Sequence, residues 1–541
     1  MDSSTNLVLT GFMGTGKTVV GREVATRLGR KFVDTDRLIE ERAGRSIPDI
    51  FEHDGEAAFR TMEADVCREL RRPRGLVVAT GGWTLGTPDN RAAVEAGGRV
   101  ICLRTDVRSV VERLGSAQGR PMLRDPDWTW RLRSLLAQRL ATYLSFPLQV
   151  NCSRLTIGQA ADRVLGLWED FGEHAVGAMG LPAALPVVVE ETGYSVLIGA
   201  GVFQSAGMLV AALGRATGSA IITDDVVAPL YAPQLTASLQ RAADPPASAP
   251  GLAQPMLAVM PAGEEHKTLG TVTGLYAQLL AGKLDRGGLV VALGGGVVGD
   301  VAGFTAATYM RGVELVQLPT TLLAMVDSSV GGKTGVDLPE GKNLAGAFKQ
   351  PALVLIDPTV LSTLPEAEVR AGLAEVVKAG VIGAPTLFEQ LEQGRLDDMA
   401  ALIRQAVTVK IEVVQADPYE QGRRAVLNLG HTFGHAFELL SDFRLRHGEA
   451  VAIGMVVAAR LAARLRRCEP ATTMRIEATL RRLGLPTVAP DYSPEAVWAA
   501  MTSDKKKQGS RLRFVLPSAI GRVEVCDDVP QSVVLEVLEG G

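Results

Sequence analysis

Short apolar, β-branched runs alternate with amphipathic helical stretches over the first part of the chain: N-L-V-L-T, K-F-V-D, G-L-V-V-A-T, R-V-I-C-L and a late run at Leu148 to Cys152. Strand, helix, strand repeated in this way predicts a parallel sheet covered by helices on both faces. The rhythm stops at 172–186, where G-E-H-A-V-G-A-M-G-L-P-A-A-L-P has no periodicity and is rich in small residues, Gly and Pro, as a linker is. It resumes with G-Y-S-V-L-I-G, S-A-I-I-T-D-D, M-L-A-V-M-P and L-V-V-A-L-G-G-G-V, interrupted by R-A-A-D-P-P-A-S-A-P-G, which reads as an exposed loop. From about Pro358 the pattern is mostly helical until L-R-F-V-L-P near the end. The expected organisation is α/β throughout: a parallel-sheet domain at 1–171, the linker, an α/β lobe at 187–357 and a mainly helical lobe at 358–541.

The 541 residues exceed one compact core, and 47% hydrophobic with 21% charged residues is ordinary globular composition. A net charge of -4 with no basic stripe gives nucleic-acid binding no support. No apolar run approaches the roughly 18–20 residues that span a bilayer, and the N-terminus has no cationic leader, so a cytoplasmic location is expected. Cys67, Cys102, Cys152, Cys468 and Cys526 are scattered and never in C-x-x-C spacing, which disfavours disulfides and thiolate metal sites. Of 56 basic residues only 12 are lysine, so arginine is the default cation. The lysines gather in Gly-rich motifs, where a compact ammonium rather than a planar fork suits the chemistry.

The segment L-V-L-T-G-F-M-G-T-G-K-T fits G-x-x-x-x-G-K-S/T, with a strand before it and a helical pattern after it. Gly14, Thr15, Gly16, Lys17 and Thr18 would cradle the phosphates of ATP at a helix N-terminus, with Lys17 on the β/γ oxygens and the Thr18 hydroxyl on magnesium. A phosphate loop leaves kinase, GTPase and motor open, so the acceptor side decides. F-V-D-T-D places Asp34 and Asp36 at the end of the next strand, where ligands bind in open α/β sheets. G-E-A-A-F-R brings Arg60, T-G-G-W brings Gly81 and Gly82, and G-S-A-Q-G-R-P-M-L brings Arg120 in a loop. This constellation resembles shikimate kinase over about residues 5 to 170. The resemblance implies Asp34 in the magnesium shell, Asp36 as base on the acceptor hydroxyl, and Lys17 and Arg120 on the transferring phosphate. It also implies Arg60 and Arg139 on the shikimate carboxylate, with backbone contacts from Gly81 and Gly82. One position departs from the family pattern: Trp83 stands where a third glycine is usual, and a bulky ring there would narrow the pocket.

In the second half, L-V-V-A-L-G-G-G-V-V-G-D is a strand ending in glycines before a helical pattern, which lets backbone approach a pyrophosphate. Asp224 after I-I-T is an acid of the kind that binds an adenosine ribose, and P-A-G-E-E-H-K adds Glu264 and Lys267. Downstream, D-S-S-V-G-G-K-T-G and G-K-N-L-A-G-A-F set Lys333, Lys342 and Asn343, together with Arg311, among apolar, Gly-rich sequence, as a phosphorylated, hydroxyl-rich substrate would require. Half of the six histidines then crowd into N-L-G-H-T-F-G-H-A-F-E and R-H-G-E. His431 and His435, four apart, would share a helix face and are the naive zinc pair; Glu375 and His447 compete, and spacing alone does not choose among them.

Residues 186 to 541 resemble 3-dehydroquinate synthase, carrying G-G-G-V-x-G-D, D-S-S-V-G-G-K-T-G, G-K-N-L-x-G-x-F, A-E-V-x-K and L-N-x-G-H-T-F-G-H-A. The resemblance implies a Rossmann-like lobe and a helical lobe, with zinc, or another divalent metal such as cobalt, on Glu375, His431 and His447. It puts NAD on Asp224, Glu264, Lys267, Gly295, Gly296, Asp300, Thr320 and Thr321, with Lys333 and Lys342 beside it. It puts substrate on Arg311, Asp327, Lys333, Lys342, Asn343, Lys378, Lys410, Arg424, Asn428 and His435, with Lys505 or Lys506 reaching in; of these Lys333, Asn343, Lys378 and His435 are expected to be catalytic. The implied chemistry is transient oxidation of a seven-carbon keto-acid phosphate, β-elimination of phosphate, reduction and ring closure, with the metal as Lewis acid. The two halves then serve one route, as a kinase followed by a lyase, with small molecules as partners and a homodimer through the second half. The alternative is a related small-molecule kinase fused to another sugar-phosphate cyclase.

Overall fold

The computed structural model describes residues 4–72, 74–116, 121–123, 128–173, 182–190, 192–214, 217–243, 255–506 and 512–540. The chain divides into two compact units, one made of 1–221, 230–257 and 279–289, the other of 222–229, 258–278 and 290–541.

In the first unit, strands β1 (Asn6–Thr10), β2 (Phe32–Asp34), β3 (Val77–Ala79), β4 (Gly98–Arg104) and β5 (Gln149–Asn151) form a sheet in the order β2-β3-β1-β4-β5. Every pairing is parallel. The central strand β1 is buried along its whole length, the result of helices on both faces of a parallel sheet. The chain leaves β1 toward one edge, to β2, and leaves its neighbour β3 toward the other, to β4, so a crevice opens at the carboxyl ends of these strands. The phosphate loop and Gly81 follow strand ends at that edge, and Asp34 is the last residue of β2 there.

Ala183 to Pro186, placed in the linker by composition, are the first half of β6 (Ala183–Val189), which pairs antiparallel with β7 (Thr192–Ile198). The edge strand β5 does not face water alone: the Asn151 N–H donates to the Ala212 carbonyl at 2.8 Å, and the Gln149 amide donates to Ser195 Oγ at 2.8 Å. Such ties blunt an otherwise open sheet edge. Burial pushes the Cys67, Cys102 and Cys152 thiols up to about 12, so they are inert packing groups.

The second unit holds the carboxyl ends of β8 (Ser219–Asp224), β9 (Met256–Met260) and β10 (Leu289–Gly294), with β11 (Glu314–Pro319), the antiparallel pair β12 (Lys333–Leu338) and β13 (Gly341–Phe348), and β14 (Leu353–Ile356). Sheet order is β14-β11-β10-β8-β9. The uninterrupted apolar run of β10 is fully buried, as a central parallel strand is. A helical lobe follows, built around the helix His447–Arg464, which is apolar on nearly all sides and accordingly buried. No helix among the described residues is long and apolar enough to cross a membrane.

Two glycines let that helix approach its neighbours at backbone contact. A Cβ at Gly454 would stand 2.0 Å from the Gly430 carbonyl oxygen, just before the helix His431–Leu440, and one at Gly448 would stand 1.9 Å from the Ala371 carbonyl oxygen in the helix Glu366–Ile382. These are the three helices that carry Glu375, His431 and His447. Gly454→Ala is expected to force them apart and to lower stability by about 1–3 kcal/mol, the usual cost of overpacking a core; calorimetric unfolding of the variant against the parent chain measures it.

Candidate active sites

The first site is built on the turn after β1. Gly16 takes a φ of 95°, a left-handed conformation suited to glycine, and starts the helix Lys17–Leu28 without a side-chain cap, leaving its first N–H groups open to an anion. Lys17 Nζ lies across the loop mouth, donating to the carbonyls of Gly11 at 2.8 Å and Phe12 at 3.0 Å. The Thr18 hydroxyl donates to Asp34 Oδ2 at 2.8 Å, while Asp34 Oδ1 caps the next helix through the N–H groups of Asp36 and Arg37. A hydroxyl and a carboxylate held side by side next to a phosphate loop suit a hard divalent cation.

Asp36 differs from its neighbour. Its Oδ1 is buried with no hydrogen-bond partner, and burial, with Asp34, Glu63 and Glu40 adding to it and Lys17 opposing, pushes its pKa up to about 6. That is the behaviour of a carboxyl poised for proton transfer rather than for ion pairing. Arg60 donates to Glu56 Oε1 at 2.8 Å and to Glu63 Oε2 at 2.5 Å. The buried Glu63 also accepts from the Thr84 hydroxyl at 2.6 Å, tying Arg60 to the glycine turn. That turn is fixed further by the Gly81 N–H on Thr35 Oγ1 at 3.0 Å and the Tyr143 hydroxyl on the Gly82 carbonyl at 2.5 Å. Arg139 is buried on the helix Trp128–Leu144. Arg120 lies outside the described residues.

The second site lies in the helical lobe of the second unit. Glu375 and Lys378, one turn apart on Glu366–Ile382, form a buried ion pair. Glu375 Oε1 is buried without a hydrogen-bond partner and faces His431 Nε2 at 3.8 Å and His447 Nε2 at 3.7 Å. Donor atoms of a tetrahedral zinc ion with bonds of about 2.0–2.1 Å stand roughly 3.4 Å apart, so Glu375 Oε1 is within a few tenths of an ångström of that spacing from each imidazole, and all three donors lie within 4.8 Å of one another. Burial, then Lys378, keeps the His431 pKa well below its ordinary value, which leaves the neutral imidazole that ligation requires. At His447 burial opposes a positive charge, but Glu375 and Glu438 on its two sides outweigh it and raise the pKa to about 10. With no metal bound the two carboxylates thus hold a proton on the ring, and a metal ion ligated there would take that proton's place.

A second donor group, His435 with Glu438 and His447, overlaps the first through His447. His431 and His435, the naive pair, share no such group; their rings meet edge to face at 5.3 Å. Glu438, which no motif singled out, accepts from His447 Nδ1 at 3.3 Å and so presents Nε2 to Glu375. Sequence spacing could have suggested it, because Glu438 follows His435 by three residues on the same helix.

Around this cluster Asp327 pairs with Lys410, whose Nζ also donates to the Asp327 carbonyl at 2.6 Å. Burial alone would raise the Asp327 carboxyl, but Lys410 and Lys378 hold it well below the ordinary range. Arg424 is buried and donates to the carbonyls of Pro418 at 2.6 Å and Gly331 at 3.2 Å. Asn428 ends the short helix Arg423–Asn428, exposed, just ahead of His431. Toward the sheet, Lys267 donates to Asp300 Oδ2 at 2.7 Å, and Asp224 at the end of β8 accepts from the N–H groups of Val226 and Val227. Gly295 precedes the uncapped helix Gly296–Thr308, and the Thr320 N–H donates to the Gly294 carbonyl at 3.0 Å beside Thr321. Lys342 approaches Glu264 Oε1 at 3.4 Å, whereas Lys333 turns to Glu420. Arg311 and Asn343 are exposed and both take left-handed backbone, with φ of 70° and 55°, a cost that concentrates at ligand sites. Lys505 and Lys506 end the helix Pro494–Lys506, and their side chains lie outside the described residues.

Family models match in the same places. The shikimate kinase model covers residues 13–166, and the N-terminal and C-terminal models of 3-dehydroquinate synthase cover 257–371 and 372–507. The chain is 47% identical over 363 residues to a 3-dehydroquinate synthase of Caulobacter vibrioides (strain NA1000 / CB15N), 64% of this chain and 96% of that protein. It is 44% identical over 368 residues to one of Synechococcus sp. (strain ATCC 27144 / PCC 6301 / SAUG 1402/1), 66% and 98%. Among solved structures, ValA, a 2-epi-5-epi-valiolone synthase of Streptomyces hygroscopicus subsp. jinggangensis 5008 with NAD+ and Zn2+ bound, superposes with a TM-score of 0.58 at 30% identity, over 65% of this chain and 98% of that one. A 2-deoxy-scyllo-inosose synthase complexed with carbaglucose-6-phosphate, NAD+ and Co2+ gives 0.60 at 27%, over 66% and 100%. The chain belongs to the 3-dehydroquinate synthase family and carries a shikimate kinase domain ahead of it, which makes it a bifunctional enzyme of the shikimate pathway, a kinase and a lyase in one polypeptide.

Proposed function

We propose that the two activities run at the two constellations described, each with its own cofactors. At the first, Gly14 to Thr18 with Lys17 would hold the phosphates of ATP, and Thr18 and Asp34 would hold magnesium. Asp36 takes the proton of the acceptor hydroxyl, Arg60 and Arg139 hold the shikimate carboxylate with backbone help from Gly81 and Gly82, and Arg120 steadies the transferring phosphate. The observation that carries this reading is the contrast of two adjacent carboxylates, one hydrogen-bonded to Thr18, the other buried without a partner and titrating near 6.

At the second, Glu375, His431 and His447 hold zinc or a similar divalent metal, and NAD+ lies along Asp224, Glu264, Lys267, Gly295, Gly296, Asp300, Thr320 and Thr321. When bound, these groups supply Lewis acidity and a reversible hydride acceptor. The protein's own part is to bind and orient. Lys378 and Lys410 place positive charge on either side of Asp327, Arg424 adds a fixed guanidinium, and Arg311, Lys333, Lys342, Asn343, Asn428 and Lys505 or Lys506 complete the substrate's surroundings. His435, beside the donor group, moves protons. Glu438 acts through His447, fixing its tautomer. The buried Glu375 Oε1 facing two imidazole nitrogens carries this reading. The same proposal takes 1–171 as the kinase domain, 187–357 and 358–541 as the lobes of the synthase, a homodimer through the synthase half and a cytoplasmic enzyme.

Lys17→Ala is expected to lower shikimate phosphorylation by about 10²–10³-fold, as loss of one charge-stabilising donor does, while phosphate release from the seven-carbon keto-acid phosphate stays near the parent rate. Parallel assays on one preparation test this, and equal loss of both rates would refute separate sites. Because burial raises the Asp36 pKa, its carboxyl keeps its proton to about pH 6 and becomes a base only above it, so kcat/KM for phosphorylation should climb through that pH and level off. A profile flat down to pH 5 would exclude Asp36 as the base. His447→Ala should strip zinc and stop only the lyase, whereas Glu438→Gln should weaken zinc binding by about 10–100-fold, both read by metal analysis and chelator competition; zinc content unchanged in His447→Ala would overturn the ligand set.

A further inference from the structure

The glycine turn of the kinase carries one bulky ring, Trp83, and that ring is seated on several sides. The Arg139 guanidinium carbon lies 4.6 Å from the indole centroid. The Tyr143 ring meets Trp83 edge to face, with centroids 6.2 Å apart and planes at 85°. Gly86, on the same turn, makes room for the indole: a Cβ there would stand 2.2 Å from its Cε2. Arg139 and Tyr143 are four residues apart on the helix Trp128–Leu144 and therefore share a face. The indole thus closes a bracket between that helix and the turn, which the Tyr143 hydroxyl fastens a second time at the Gly82 carbonyl.

We propose that Trp83 is the positioning residue for Arg139 and in that way sets the kinase's affinity for the carboxylate of its acceptor. The proposal rests on Arg139 being a carboxylate clamp. A guanidinium has a flat face and a rim of in-plane N–H donors. Stacking on indole occupies the face, and with one N–H directed to the Tyr143 hydroxyl the rest of the rim is left for a carboxylate. Without the ring, a long side chain regains rotamers, and binding the acceptor must then order it. A third glycine at position 83 would leave Arg139 to other restraints, so this chain has exchanged backbone freedom in the turn for a fixed guanidinium.

The test is steady-state kinetics on the full-length chain with Trp83→Leu, Trp83→Phe and Gly86→Ala, using ATP with shikimate or its carboxamide, and lyase turnover in the same preparation as the folding control. Trp83→Leu should raise KM for shikimate by about 3–30-fold, the range of a partly desolvated cation–π contact, more than it lowers kcat. KM for ATP and lyase turnover should stay within about twofold of the parent, because the contact removed is one to the acceptor's carboxylate clamp. Trp83→Phe should recover most of the affinity, Gly86→Ala should lose it, and the preference for shikimate over the carboxamide should fall with Trp83→Leu. An unchanged or lower KM for shikimate, or a loss shared equally by the carboxamide and ATP, would overturn the proposal. Arg139→Met separates the two layers: no rise in KM in that variant overturns the clamp itself, while a rise there without one in Trp83→Leu overturns only the role of Trp83.

Discussion

A carboxylate taken out of water must find positive charge or give up its own, and both sites of this enzyme are organised around one such group. Asp36 and Glu375 each bury an oxygen that no hydrogen bond reaches. Leaving either unanswered would cost several kcal/mol. The two resolve the problem in opposite directions. Asp36 has Lys17 as its main positive neighbour and other acids nearby, so burial wins and its pKa rises to about 6. Glu375 has Lys378 and the imidazoles around it, so burial loses and its pKa falls to about 2. One environment leaves a carboxyl that changes charge near neutrality; the other leaves a carboxylate that stays charged. The difference lies in the neighbours each fold supplies, since the two side chains have nearly the same intrinsic acidity.

The scaffolds that deliver those neighbours follow different rules. In the kinase, a parallel sheet lines up strand ends, so residues far apart in the chain meet at one edge by topology alone. In the helical lobe of the synthase there is no such edge, and the donors come together because backbone can touch backbone at Gly454 and Gly448. The buried helix His447–Arg464 is the member that both contacts share, and it opens with His447, one of the three clustered donors.

Charge type is also sorted by place. Arginine outnumbers lysine heavily in this chain, and some of it stands in exposed pairs with glutamate one helical turn away, as at Arg37 with Glu41 and Arg108 with Glu112. Such pairs are worth a few tenths of a kcal/mol. Lys267, Lys378 and Lys410 are instead buried and paired with Asp300, Glu375 and Asp327. A compact ammonium fits a closed pocket, and its proton affinity can be tuned by its partners where that of a guanidinium cannot.

The sequence by itself determined the phosphate loop and its flanking strand, the alternation that builds the parallel sheets, the crowding of histidines and the motifs that place both families. These are local: a glycine spacing, a period of two or 3.6, a carboxylate at a strand end. The tertiary structure decided what local spacing leaves open. His435 shares a helix with His431, yet the partner that faces His431 is Glu375, on a helix 56 positions earlier, because helix crossing rather than sequence separation sets that distance. No motif assigned a role to Glu63, Glu438 or Tyr143, which acquire theirs only by meeting Arg60, His447 and Gly82 in three dimensions. Ala183 to Pro186 look like linker by composition and become strand because β7 offers them partners. Trp83 reads as an intrusion in a glycine turn until the fold sets Arg139 over it, since a contact between elements depends on how they pack and leaves no periodic trace in either one.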